Sequence, residues 1–76
     1  MITVVRRDAP ESVCVAYAIP RTTGPAVVRN RLRRRLRAVV RELPLEPGDY
    51  LISASQGAAE LPYAQLRGYV REAAGR

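Results

Sequence analysis

Between Val28 and Arg37 the chain reads Val-Arg-Asn-Arg-Leu-Arg-Arg-Arg-Leu-Arg, six arginines in ten residues. A guanidinium group binds phosphate oxygens in a planar, bidentate way and stacks on bases, so a cluster of this density is chemistry aimed at a polyanion. Acids are nearly absent from the stretch: Glu42 is the only one between Pro25 and Leu43. Like charges at i,i+4 on a helix repel by roughly 0.2–0.5 kcal/mol per pair. A helix face shaped only for solubility would mix both signs, so the missing counter-charges are expected from outside the chain.

Other chemistries are poorly served. The chain has one cysteine, Cys14, and no histidine. That removes the usual zinc ligands and the commonest general base near neutral pH. No Ser-His or Cys-His pair exists, so no catalytic residue is expected, and no metal or cofactor bound by the protein alone. All 13 basic residues are Arg, and against seven acids they give a formal charge of +6. Such a balance points to nucleic acid, an anionic membrane or an acidic protein as partner. No apolar run approaches the roughly 20 residues that span a bilayer. The start, Met1-Ile2-Thr3-Val4-Val5-Arg6-Arg7, lacks the pattern of a signal peptide, and a cytoplasmic protein is expected.

The elements that must carry these arginines can be read from periodicity. At 76 residues the chain is expected to form a single domain, 1–76. Ile2–Val5 reads as an edge strand followed by a turn at Arg6–Pro10. Ser12–Ile19 reads as a second strand. Its bulky residues Val13, Val15, Tyr17 and Ile19 would face a helix, and its small residues Cys14, Ala16 and Ala18 would leave the other face shallow. Gly24 is expected to cap a helix from about Pro25 to Leu43, stopped by Pro44 and Pro47. Tyr50–Ala54 reads as a further strand and Ser55–Glu60 as a loop. A last helix, opened by Pro62, reaches about Ala74, with Tyr63, Leu66, Tyr69, Val70 and Ala73 on one side. Tyr50, Tyr63 and Tyr69 are expected to pack. The order is β-β-α-β-α, an α+β fold with two helices beside a small sheet.

At about 100° per residue, Val28, Leu32, Leu36, Val39 and Leu43 fall within an arc of about 80° that would face the sheet. Asn30, Arg33, Arg34, Arg37 and Arg41 share the opposite arc, with Arg29, Arg31 and Arg35 toward the boundaries. A membrane-surface helix fits the basic face but not the apolar one, which has no Trp or Phe and is needed for the core. No helix-turn-helix pair precedes the basic helix. RNA, met through phosphates and shape, fits better.

The run Gly24 to Arg37, with the strand Val13–Ile19 and Arg21 before it and Asp49-Tyr50-Leu51-Ile52 and Leu61-Pro62-Tyr63 after it, resembles the signature of the bacterial ribonuclease P protein component. The resemblance extends over about residues 12 to 73. It implies a ribosomal S5 domain 2-like fold with a left-handed β-α-β crossover, against the usual right-handed rule. It also implies a subunit of a ribonucleoprotein endoribonuclease, a hydrolase of tRNA processing whose RNA and bound magnesium perform the cleavage. The implied partners are the catalytic RNA and precursor tRNA, with no membrane. Matched residue by residue, Arg21, Arg29, Asn30, Arg31, Arg33, Arg34, Arg37 and Arg41 would be RNA-binding, and Cys14, Ala16 and Ala18 would floor a cleft for the 5′ leader. Thr22 and Pro25 stand where the family pattern has a basic residue and an Asn. The helix that usually walls the cleft in the family is expected to be missing before Ile2, in a shortened member or a piece of a longer chain. Apolar sheet surface should therefore be exposed, and self-association through that face is expected. A reading of another class, a general basic RNA-binding or RNA-chaperone protein without a cleavage role, stands beside this one.

Overall fold

The computed structural model describes residues 2–8 and 11–75. The elements are β1 (Ile2–Arg7), β2 (Val13–Ala18), α1 (Ala26–Glu42), β3 (Gly48–Ala54) and α2 (Tyr63–Ala74), with 3-10 turns at Arg21–Thr23 and Ala58–Glu60. The β-β-α-β-α order is the expected one. β3 is central in the three-stranded sheet, in the order β1-β3-β2. β1 runs antiparallel to it, pairing Ile2 with Ala54 and Arg7 with Asp49. β2 runs parallel to it, pairing Val13 with Gly48 and Ala18 with Ser53. The β2–α1–β3 crossover therefore carries the arginines across one face of the sheet.

Alternation divides the sheet into two faces. Val15, Tyr17, Ile19, Tyr50, Ile52, Ala54, Ile2 and Val4 turn toward the helices. Ile19, Leu32, Leu36, Val39, Ile52, Ala54, Ala58, Leu66 and Val70 form the core, with Val15, Tyr17, Val40 and Leu43 packed against it. The expected stripe of α1 is this core face: Leu32, Leu36 and Val39 are buried, and Val28 and Leu43 partly so. Deleting a side chain such as Leu36 should cost about 2–5 kcal/mol.

Several boundaries move, for identifiable reasons. β1 continues two residues past Val5, because Arg6 and Arg7 still pair with Tyr50 and Asp49. Arg7 also forms an ion pair with Asp49 at 2.9 Å. Of the rest of the expected turn, Asp8 follows the strand, and Ala9 and Pro10 lie outside the described residues. Pro25, not Gly24, is the N-cap of α1. Gly24 lies one residue further out, with φ 151°, and a Cβ there would meet Val28 Cγ1 at 3.0 Å. Glycine is needed at that position for the backbone and for the close approach of the first helical turn. The loop from Ser55 contains the turn Ala58–Glu60, entered through Gly57 at φ 94°.

The tyrosines divide. Tyr50 is buried, and its hydroxyl donates to the Glu46 carbonyl at 2.6 Å. Tyr63 and Tyr69 do not pack as expected: they are 38% and 45% exposed. They flank the buried stripe of Leu66 and Val70, and a short helix over a small sheet has no second layer to cover its flanks.

Candidate nucleic-acid interface

The charged surface of α1 divides into three settings. The first is structural. Arg35 donates from Nη1 to the Ala59 carbonyl at 3.2 Å and from Nη2 to the Leu61 carbonyl. It thereby clasps the segment between β3 and α2 onto α1. Arg29 donates from Nε to the Gly24 carbonyl at 3.1 Å, tying the entry loop to the helix. Both side chains are half-buried. Arg29 is thus a member of the expected RNA-binding set whose guanidinium is partly engaged within the fold.

The second setting is the flank facing α2, where charge is balanced. Glu42 accepts from Arg67 at 3.2 Å and from the Tyr63 hydroxyl at 3.3 Å. The third is the outward stripe. Asn30, Arg34, Arg37 and Arg41 recur at i, i+4, i+7 and i+11, within about 60° of one another around the helix axis. All four are exposed. Arg33, expected on this same arc, is half-buried beside it and donates to Asn30 Oδ1 at 3.1 Å. Arg31 is exposed, as is Arg21 in the turn that precedes the helix. The ion pairs seen among the described residues engage Arg6, Arg7 and Arg67, and leave the α1 arginines without a carboxylate partner.

One aromatic residue borders the stripe. The Arg37 guanidinium lies over the Tyr17 ring, 5.9 Å from its centroid. Tyr17 is on the helix-facing side of β2, as its alternation required, and is half-buried at the sheet's edge. Burial raises its pKa above the ordinary 10.0, outweighing the opposing pull of Arg37 and Arg41.

The other face of the sheet carries Cys14, Ala16 and Ala18 on β2, all exposed. In register they continue onto Asp49, Leu51 and Ser53 of β3, and then onto Arg7, Val5 and Thr3 of β1. Val5 and Leu51 are 58% and 41% exposed, which makes this a shallow apolar floor. It lies opposite the helices, so the two sets of expected site residues are on separate surfaces. Among the described residues no group of His, Cys, Asp and Glu could hold a metal ion. No helix among them is long and apolar enough to cross a membrane.

This architecture is shared with solved structures. That of the Staphylococcus aureus RNase P protein superposes with a TM-score of 0.81 at 20% identity, over 95% of this chain and 70% of that one. A mutant of the same protein with defective mRNA degradation activity gives 0.82, also at 20% identity, over 95% and 64%. In sequence, the chain is 39% identical over 75 residues to the ribonuclease P protein component of Symbiobacterium thermophilum, covering 95% of this chain and 65% of that protein. It is 44% identical over 52 residues to that of Thermus scotoductus, covering 68% and 32%. The chain thus spans less than two thirds of the length of these relatives. The family model described as Ribonuclease P matches residues 1–76. On the whole-length match and the shared fold, this chain belongs to the family of the ribonuclease P protein component.

Proposed function

We propose that the chain is the protein subunit of ribonuclease P, binding the catalytic RNA and assisting removal of the 5′ leader from precursor tRNA. The observation that carries this reading is the outward stripe of α1: exposed arginines of one sign with no carboxylate partner among the described residues. Arginines so placed replace the counterions condensed on RNA, and the released ions drive association. Hydrolysis in this reading belongs to the RNA and the magnesium it holds, since the chain offers neither a histidine nor a metal cluster among its described residues. The protein's part is to neutralise phosphate repulsion where leader and catalytic RNA meet, which makes magnesium easier to retain. The floor of Cys14, Ala16 and Ala18 suits the leader, because small side chains let a strand of RNA lie close to the backbone. The exposed Val5 and Leu51 on that face support its being covered, by the leader or by a second copy of the chain.

Reconstitution tests the reading. Added to ribonuclease P RNA at low magnesium, the chain should accelerate cleavage of precursor tRNA and lower the magnesium required. Tight but indiscriminate RNA binding without stimulation would overturn it in favour of a general RNA chaperone.

A further inference from the structure

The stripe on α1 is bounded differently on its two sides. Toward α2 it ends at Glu42, whose carboxylate is already engaged by Arg67 and Tyr63. An RNA strand moving that way meets a carboxylate already neutralised by Arg67 and gains no free cation. Toward β2 it ends at Tyr17, under Arg37, and the charged groups that act on that ring are Arg37 and Arg41. The Tyr17 hydroxyl has no hydrogen-bond partner among the described residues, and it is not among their sealed, unpartnered side-chain oxygens. The hydroxyl is therefore not sealed off, on a half-buried ring that lies under Arg37. Arg41, exposed one turn further along α1, adds its charge on the same side.

We propose that Tyr17 is an RNA-contacting residue, its hydroxyl completing with Arg37 and Arg41 a site for one backbone phosphate of RNA lying along the seam between α1 and β2. The inference rests on the RNA-binding reading above and assigns that surface a direction. A phosphate there would receive two guanidinium groups and one neutral O–H donor. The phenol suits the task because burial holds its pKa up, so it remains a donor at any pH at which RNA is intact. Stacking under Arg37 fixes the guanidinium at the helix's edge, where an exposed arginine would otherwise sample many rotamers. β2 is an edge strand, so no further strand obstructs the approach.

The test compares Tyr17→Phe with Tyr69→Phe, which removes an exposed hydroxyl on α2. Each is titrated onto a labelled bacterial ribonuclease P RNA transcript, with fold checked by circular dichroism melting. Tyr17→Phe should bind roughly three- to tenfold more weakly, the range for one lost hydrogen bond, while Tyr69→Phe binds as the unaltered chain does. A second measurement needs no variant. With 13C-labelled tyrosine, the Tyr17 ring signals should shift on RNA addition and those of buried Tyr50 should not. Unchanged affinity of Tyr17→Phe, together with unmoved Tyr17 signals, overturns the proposal. The RNA-binding reading is judged separately by Arg33→Gln/Arg34→Gln/Arg37→Gln. If that variant also binds undiminished, the reading itself fails. If it weakens binding while Tyr17 is silent, only the Tyr17 site falls.

Discussion

The α1 surface makes a quantitative prediction about salt. Of its arginines, Arg29 and Arg35 are engaged with backbone carbonyls. Arg31, Arg33, Arg34, Arg37 and Arg41, with Arg21 from the preceding turn, are left for phosphate. Six contacts at about 0.7–0.9 ions each give a slope of log K against log salt of roughly −4 to −5. Between 50 and 200 mM salt, affinity should then fall by roughly 250- to 1000-fold. Replacing Arg33, Arg34 and Arg37 with Gln leaves three contacts, a slope of roughly −2 to −3, and a loss of only about 15- to 60-fold over the same range. Fluorescence anisotropy with end-labelled ribonuclease P RNA, at four or five salt concentrations, measures both slopes. Melting temperature should be unchanged or slightly raised, since the substitutions relieve repulsion along the helix. A slope near zero for the unaltered chain would refute the electrostatic reasoning. An unaltered slope in the triple variant would show that phosphate is met elsewhere.

Other consequences concern the fold that carries this surface. Arg35→Gln should destabilise the chain by about 1–3 kcal/mol while leaving the salt slope nearly intact, because Arg35 holds the Ala59 and Leu61 carbonyls rather than RNA; urea titration and the anisotropy slope together separate the two roles. The glycines should respond in opposite directions. Gly24→Ala should lower stability through its φ of 151° and its contact with Val28, whereas Gly68→Ala, where a Cβ meets nothing within 4 Å, should raise it by about 0.5–1 kcal/mol, both read from thermal melts. Alkaline titration gives a further check. The pKa of Tyr17 is raised in the folded chain, so its contribution is fully present below the ordinary 10.0 and is lost as pH rises through the folded value; Tyr17→Phe should flatten the decline in stability seen above about pH 10.

The sequence showed the fold wherever periodicity was strong. The apolar stripe of α1, the alternation of β2 and the prolines around α1 and α2 place most of their residues correctly, because each rule concerns neighbours a few residues apart. Val13, at the start of β2 and expected to face a helix, is 43% exposed, and the cap of α1 falls on Pro25 rather than Gly24. Periodicity failed for Tyr63 and Tyr69, whose helical positions suit packing but whose flank has nothing to pack against. That depends on how many layers the whole chain can build, which no local pattern records. The β2–α1–β3 crossover onto a parallel strand is implied by the family resemblance and not by spacing; the RNA partner is what that resemblance proposes.

The arginines show a subtler limit. In the sequence, Arg33, Arg34 and Arg35 are consecutive and chemically identical. In the structure one is half-buried beside Asn30, one is wholly outward, and one clasps two carbonyls more than twenty residues away. A rotation of about 100° per residue separates these roles. Only the outer sector is visible as charge patterning. Arg35 could have been suspected from its place at the boundary of the apolar arc, but its acceptors come from a segment beyond β3 whose position tertiary packing sets. In the proposed reading, arginine density marks the surface that meets a polyanion. How many arginines meet it is a property of the fold, and the salt slope measures that number.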